Sequence, residues 1–120
     1  MEPPVSYETS VALLLDRFPE FESSGEKWYR DIPSDAFGTF SLFLRRRIER
    51  NDQDDLVRRA FEFFNELART ANDEVINLLE TSVFEILVDH PQSWLLAERH
   101  LSDAALQSWR RMQTGGLVEK

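Results

Sequence analysis

The stretch "NDEVINLLETSVFEILVDHP", residues 72–91, decides the fold class of this sequence. Asn72 is a residue type that caps helix N-termini, and the two carboxylates that follow it lie where the helix dipole favours negative charge. Apolar residues then recur three and four positions apart as far as Val88, and Pro91 ends the pattern. The stretch therefore predicts an amphipathic helix over residues 72–89.

Helical spacing of apolar residues continues along the rest of the chain. Pro19 ends the first helix, Ser34 is a good N-cap for the second, and Gly115 with Gly116 ends the last. The further predicted helices cover residues 7–17, residues 34–50, the segment from the break at 51–52 to residue 71, residues 92–99, and the segment after Ser102.

The fold class that follows is all-α. Because the connections between the second, third and fourth helices are short, these helices are expected to be antiparallel neighbours. The prediction is a compact bundle of five or six helices, arranged as stacked antiparallel hairpins in the manner of HEAT repeats. We expect one domain over residues 1–120, with an ordered part at about 7–113 and a loose C-terminal tail.

The composition limits the classes of function. With 120 residues, nine Phe and three Trp, the chain suits one domain with a single core. It has no cysteine, which excludes disulfides and thiolate metal sites, and a cytoplasmic location is expected. No signal-peptide pattern and no apolar run of roughly 18 residues is present, so no membrane segment is expected. The net charge of -8 opposes binding to nucleic acid and favours a basic partner.

Two adjacent charge runs, "LRRRIER" (residues 44–50) and "NDQDD" (residues 51–55), invite functional interpretations. The arginines could form a nucleic-acid patch, but cations at the end of one helix and anions at the start of the next also complement the helix dipoles. The two runs are close enough to form ion pairs. A calcium loop starting at Asp52 would need glycine and glutamate where Val57 and Phe63 stand, so that interpretation fails.

No catalytic or cofactor motif stands out. His90 and His100 do not have the spacing of helix-borne zinc ligands, and His90 is expected to be a capping or surface residue. Glycine-rich phosphate loops and nucleophile elbows are absent from the sequence. Paired carboxylates occur by chance among 22 acidic residues, so they are a weak signal for acid–base catalysis. The sequence predicts a protein that is not an enzyme and that has no cofactor and no metal.

Glu85 is a charged residue within the apolar stretch, and its role could be structural or functional. On a regular helical wheel Val75, Leu79, Val83 and Ile86 form the core face of residues 72–89. Glu85 lies at the edge of that face, where a glutamate usually stays ionised. We expect a structural ion pair, with Arg47 as a candidate partner, and a functional role remains the alternative.

The same wheel places Phe84 opposite the core face. A helix that is apolar on both faces is either buried on both or presents an exposed patch to a partner. One expectation is that the last two helices fold back over Phe84 and Val88 with Trp94 or Trp109. The other is an exposed apolar patch.

Three segments carry a family resemblance: "FGTFSLFL" (residues 37–44), "FEFFNELARTANDEVINLLETSVFEIL" (residues 61–87) and "LSDAALQSW" (residues 101–109). They resemble a family of small bacterial all-helical domains of unknown function, over residues 7–112. "TSVFEIL" and "LSDAALQSW" depart from the family pattern, in which a glycine-proline helix start is common. The resemblance implies an immunity or accessory protein encoded near a bacterial toxin, and it implies no catalytic residue.

The first functional hypothesis is a non-enzymatic, immunity or antitoxin-like protein that neutralises a toxin with a basic surface by direct contact. An adaptor or scaffold module, as a monomer or a homodimer, is the second, and an enzyme using paired carboxylates is the third. The residues expected to contact the partner are Trp28, Tyr29, Asp55, Glu62, Glu66, Glu80 and Phe84. The carboxylates among them are also ordinary solubilising residues, and that alternative stays open.

Overall fold

The structure is a computed structural model that describes residues 6–51, 54–70 and 72–118. All regular structure within these ranges is helical, which confirms the predicted all-α bundle. The first helices are α1 (Ser10–Arg17), α2 (Pro19–Glu22), α3 (Pro33–Arg50) and α4 (Asp55–Arg69). They are followed by α5 (Asp73–Leu79), a π-helical segment (Glu80–Phe84), α6 (Glu85–Leu87), α7 (Gln92–His100) and α8 (Asp103–Val118). Within the described ranges, every helix is too short or too polar to cross a bilayer.

The helix boundaries differ from the prediction in several places: α1 begins at Ser10 and not at residue 7, the short helix α2 was not predicted, and α4 and α6 end two residues early. α3 begins at Pro33, so Ser34 lies in its first turn and is not the N-cap, because proline has no N–H to lose at the first helical position. α8 continues through Gly115 and Gly116 to Val118, since glycine ends a helix only where it adopts a left-handed conformation. The predicted positions Asp52 and Ala71 lie outside the described residues.

Asn72 caps α5 as predicted. Its side-chain oxygen accepts hydrogen bonds from the backbone N–H groups of Glu74 (2.9 Å) and Val75 (3.2 Å). α5, the π-helical segment and α6 then follow one another without a break, and residues 73–87 are named the central rod below.

The π-helical segment changes the register of the central rod. The N–H of Glu85 bonds to the carbonyl of Glu80, five residues earlier, so that one turn contains an extra residue. Residues after this turn are rotated relative to a regular helix. Phe84 and Leu87 are consequently fully buried, whereas Ile86 is only partly buried. The regular wheel was right for Val83, which is fully buried, but wrong for Ile86, which it placed in the core, and for Phe84, which it placed opposite the core.

A buried serine pair joins the π-helical segment to α3. The Ser41 hydroxyl lies 2.8 Å from the carbonyl oxygen of Phe37 in its own helix and 3.1 Å from that of Ser82. Both serines are buried, with Ser41 at 0% and Ser82 at 6% exposure. Because a buried carbonyl without a donor is costly, the hydroxyl satisfies the backbone where the regular hydrogen-bond ladder is interrupted.

A chain of aromatic rings crosses the whole core. It begins with Phe21 of α2 against Phe40 of α3 (5.2 Å between centroids) and continues from Phe40 to Phe64 of α4 (6.4 Å). Phe64 meets Phe84 at 5.9 Å, and Phe84 meets Trp109 of α8 at 5.4 Å. All four contacts are edge-to-face, the arrangement that aromatic quadrupoles favour.

α8 covers Phe84 and α7 reaches Val88, which agrees with the first of the two expectations for this apolar face. Trp109 is fully buried against it, whereas Trp94 is 40% exposed and donates its indole N–H to the Val88 carbonyl at 2.9 Å. Asn65 of α4 fixes the junction between α7 and α8. Its amide nitrogen donates to the His100 carbonyl (2.8 Å), and its amide oxygen accepts from the Ser102 N–H (2.9 Å).

The serine contact yields the first prediction. Ser41→Ala should lower the free energy of unfolding by about 1–3 kcal/mol, because the Ser82 carbonyl loses a buried donor. Thr81→Ala is the matched control, since Thr81 makes the same kind of bond to a carbonyl four residues earlier (2.8 Å) but is exposed. Its effect should stay within about 0.5 kcal/mol. Urea unfolding measures both, and equal effects would show that the contact with Ser82 does not stabilise the fold.

Candidate functional site

Three of the predicted partner residues lie on the outer stripe of α4, and all three are in ion pairs. Asp55 accepts from Arg58 and from Arg59, the latter at 2.9 Å, and Glu62 accepts from Arg58 at 3.1 Å. Glu66 receives two bonds from Arg17 of α1, at 2.6 and 2.7 Å.

The Arg17–Glu66 pair spans a groove of about 430 Å³ between the end of α1 and α4. Arg17 lies over the Phe63 ring (5.8 Å to its centroid), and Arg59 lies over the Phe18 ring (5.6 Å). The groove is lined by Arg17, Phe18, Arg59, Glu62, Phe63, Asn65, Glu66 and Arg69. It is named the arginine groove below.

The electrostatics of this stripe are balanced. The hydrogen bonds from Arg17 lower the pKa of Glu66, and those from Arg58 and then Arg59 lower the pKa of Asp55. The stripe carries three carboxylates, on residues 55, 62 and 66, and three guanidinium groups, on residues 58, 59 and 69. The acidic surface expected on α4 is therefore neutralised by arginines of α4 and by Arg17 of α1.

The two loop aromatics differ in their environment. Trp28 stacks on the buried ring of Phe21, with centroids 4.4 Å apart and an interplanar angle of 18°. Its indole N–H is enclosed and has no acceptor among the described residues. Tyr29 is 71% exposed, and its backbone N–H donates to the Asp35 carboxylate at 2.7 Å. Tyr29 is available to a partner, whereas Trp28 mainly anchors the loop to the core.

Glu80 and Phe84, the two predicted partner residues in the π-helical segment, make contacts within the fold. Glu80 accepts hydrogen bonds from the buried Ser108 hydroxyl and from Arg111 (2.8 Å), and its side chain is 20% exposed. Phe84 is fully buried, so it is not part of the surface. Glu80 and Phe84 hold α8 on the central rod.

The predicted partner of Glu85 was wrong. Arg47 donates instead to Asp54, at 3.1 Å, which joins the end of α3 to the start of α4. Glu85 is exposed and has no ion pair within the described part of the chain. Arg47 is thus engaged at the junction between α3 and α4.

Glu85 belongs to an acidic surface that the sequence interpretation missed. Asp73, Glu74, Glu85 and Asp89 are all exposed, and none forms an ion pair with another described residue. These four residues are named the acidic ridge. A signal was present in the sequence, because no Lys or Arg occurs between Arg69 and Arg99. Neighbouring carboxylates in this segment therefore have no local cation.

One cluster has the residue types of a catalytic triad. His90 lies between Ser93, 3.5 Å from its Nδ1, and Glu49, 3.3 Å from its Nε2. A nucleophile needs access to substrate, but Ser93 is 0% exposed. The cluster therefore joins the start of α7 to the end of α3. In the described ranges, no three His, Asp or Glu side chains converge in a way that could hold a metal ion.

A protein-family model with the description "Domain of unknown function (DUF7674)" matches residues 11–115. The chain belongs to this family. The DUF7674 match begins in α1 and ends in α8, so it includes both the arginine groove and the acidic ridge. No significant match was found among curated proteins or among solved structures.

The arginine groove yields a prediction for acid stability. Because the folded-state pKa of Glu66 lies below its ordinary value of 4.5, the Arg17–Glu66 pair stabilises fully above that pH. The stabilisation is lost as the pH falls through the lower folded-state pKa. Glu66→Gln should cost about 0.5–1 kcal/mol at pH 7, since solvent partly screens the pair, and should weaken the dependence on pH below 4.5.

Glu62→Gln is the control for this experiment. Glu62 lies one turn away on the same helix, and its side chain is 56% exposed compared with 36% for Glu66. Urea unfolding at pH 7 and in acid should show the smaller change for Glu62→Gln. Identical acid profiles for the two variants would contradict a special role of the Arg17 contact.

Proposed function

We propose that this DUF7674 protein is a non-enzymatic protein-binding domain that neutralises a toxin with a basic surface by direct contact, as immunity proteins and antitoxins do. The main support for the proposal is that some carboxylates of the surface are paired with arginines and others are not. The carboxylates of α4 are neutralised by arginines, whereas the acidic ridge, which lies on the central rod and the turn after it, has no cationic partner among the described residues.

Uncompensated charge on one face has a physical consequence. Such a face attracts a positively charged protein before contact and orients it, which raises the association rate. The net charge of -8 strengthens this attraction at long range. The sequence resemblance to small bacterial all-helical domains of unknown function, which implies an immunity or accessory protein, agrees with the proposal. A bacterial origin and a cytoplasmic location are part of the proposal.

An adaptor module that forms homodimers is the second candidate. Leu95 is 73% exposed and its neighbour Trp94 is 40% exposed, so α7 presents two large apolar side chains to solvent. Aromatic and aliphatic side chains of this kind anchor many protein interfaces. Sedimentation of the wild type and of Leu95→Glu distinguishes the candidates, because a homodimer through α7 would dissociate in the variant.

The proposal predicts the behaviour of the protein encoded by the adjacent gene. That protein should arrest growth when it is expressed alone, and co-expression of the DUF7674 protein should restore growth. The control is the same plasmid with a stop codon early in the DUF7674 reading frame. The purified pair should form a complex whose association rate falls at least about tenfold between low and high salt.

Two results would contradict the proposed function. One is an adjacent protein that is harmless and does not bind. The other is growth arrest that persists although the two proteins form a complex, which would favour an adaptor.

A further inference from the structure

The outer side of α3 carries exposed apolar side chains that no helix of the described ranges covers. Three large apolar side chains are exposed there: Ile32 at the start of the helix (47%), Leu42 in its middle (45%) and Tyr29 in the preceding loop (71%). Ile32 and Leu42 lie on one helical stripe, with the half-buried Asp35 and Thr39 between them, because these positions are spaced three and four apart. At a rise of about 1.5 Å per residue, Ile32 and Leu42 lie about 15 Å apart along the helix.

This stripe borders the central rod. A methyl group added at Gly38 would lie 4.0 Å from both the terminal methyl of Ile86 and the Ser82 carbonyl oxygen. Leu42 follows Gly38 by one helical turn on the same side, so it lies next to the partly buried Ile86. The contact between Glu49 and His90 (3.3 Å) continues the boundary between the two helices in the same direction.

Two carboxylates lie close to Ile86 along the chain. Glu85 is rotated from Ile86 by about 100° around the helix, and Asp89 lies in the turn that follows the end of α6 at Leu87. Both are exposed and lack an ion pair among the described residues. Two cations of α3 are engaged, because Arg45 pairs with Glu49 and Arg46 pairs with Glu26. The surface therefore combines exposed apolar side chains with unpaired carboxylates.

We propose that this surface binds a basic amphipathic helix of the partner protein. The residues of the α3–rod face are Tyr29, Ile32, Leu42, Glu85, Ile86 and Asp89. Apolar side chains of the partner helix would pack on Ile32, Leu42 and Ile86, and a row of Lys or Arg would face Glu85 and Asp89. The inference rests on the proposed function and adds to it the surface and the chemistry of the bound element.

The negative charge of the α3–rod face favours a basic helix over a second copy of the chain as the bound element. A symmetric dimer through the α3–rod face would use the same acidic face on both copies, so each copy would offer the other carboxylates beside its apolar side chains. Like charges facing one another across an interface are unfavourable. A helix with apolar residues on one side and cations beside them satisfies both parts of the surface.

The test uses a synthetic helix of about 15 residues, built from Leu and Lys with the leucines on one face, which gives about four turns. Fluorescence anisotropy of the labelled peptide measures its affinity for the full chain at low salt. The double variant Glu85→Lys, Asp89→Lys should weaken binding by at least about tenfold, because attraction becomes repulsion. Leu42→Asp should weaken it by a similar factor through loss of apolar contact.

A matched control is available on the opposite side of α3. Glu8 and Asp16 are exposed and have no ion pair among the described residues. α1 packs through Phe18 on Phe40 (4.9 Å), two residues from Leu42 and thus on the far face of α3. The double variant Glu8→Lys, Asp16→Lys changes the net charge by the same amount and should bind the peptide nearly as the wild type does. Circular dichroism and urea midpoints confirm that every variant is folded.

The outcomes separate this inference from the proposed function. Equal weakening by the two charge reversals, or amide NMR shifts that map to α4, would overturn the α3–rod face. A wild-type dimer that Leu42→Asp dissociates would make a second copy the occupant and would also overturn it. Peptide binding that depends on this face, together with an adjacent gene product that is not toxic, would instead support the surface and refute the proposed function.

Discussion

The burial of Phe84 between Phe64 and Trp109 is the contact on which the rest of the structure depends. It requires the extra residue of the π-helical segment, because in a regular helix this side chain would point away from the core. With Phe84 in place, the chain of aromatic rings runs unbroken from α2 to α8, and Trp109 closes it. The Ser41 hydroxyl satisfies the Ser82 carbonyl at the same turn, so the irregular backbone costs little in unsatisfied hydrogen bonds.

The same irregularity determines the surface of the central rod. The rotation that buries Leu87 leaves Glu85 exposed and Ile86 at the boundary with α3. Elsewhere carboxylates meet arginines, as Glu66 meets Arg17 and Asp54 meets Arg47. The central rod contains no Lys or Arg, and its carboxylates at Asp73, Glu74 and Glu85 remain available to a partner. The packing of Phe84 in the core therefore produces an acidic, partly apolar face on the surface. That face is the basis of the binding function that we propose.

The sequence was sufficient for those features that depend on local pattern. Apolar spacing predicted the helices, and the Asn72 cap was predicted from residue type and found as a pair of hydrogen bonds. The π-helical segment could not be predicted, because no residue type in "ETSVF" demands an extra residue in the turn, and tertiary packing of Phe84 decides it. The pairing of Glu66 with Arg17, 49 positions apart, and the stacking of Trp28 on Phe21 likewise depend on tertiary contacts. The acidic ridge was accessible from sequence, since it follows from the lack of cations between Arg69 and Arg99.

Thiol labelling tests the register of the central rod most directly. The chain contains no cysteine, so Ile86→Cys and Leu87→Cys each provide one reporter, with Glu85→Cys as the exposed reference. Rates of reaction with a thiol reagent are measured in native buffer and divided by the rates in urea. The account predicts that Leu87→Cys reacts at least about tenfold more slowly than Ile86→Cys, since a buried thiol reacts only when the helix opens locally. The opposite order, with Ile86→Cys protected and Leu87→Cys reactive, would indicate a regular helix and contradict the account.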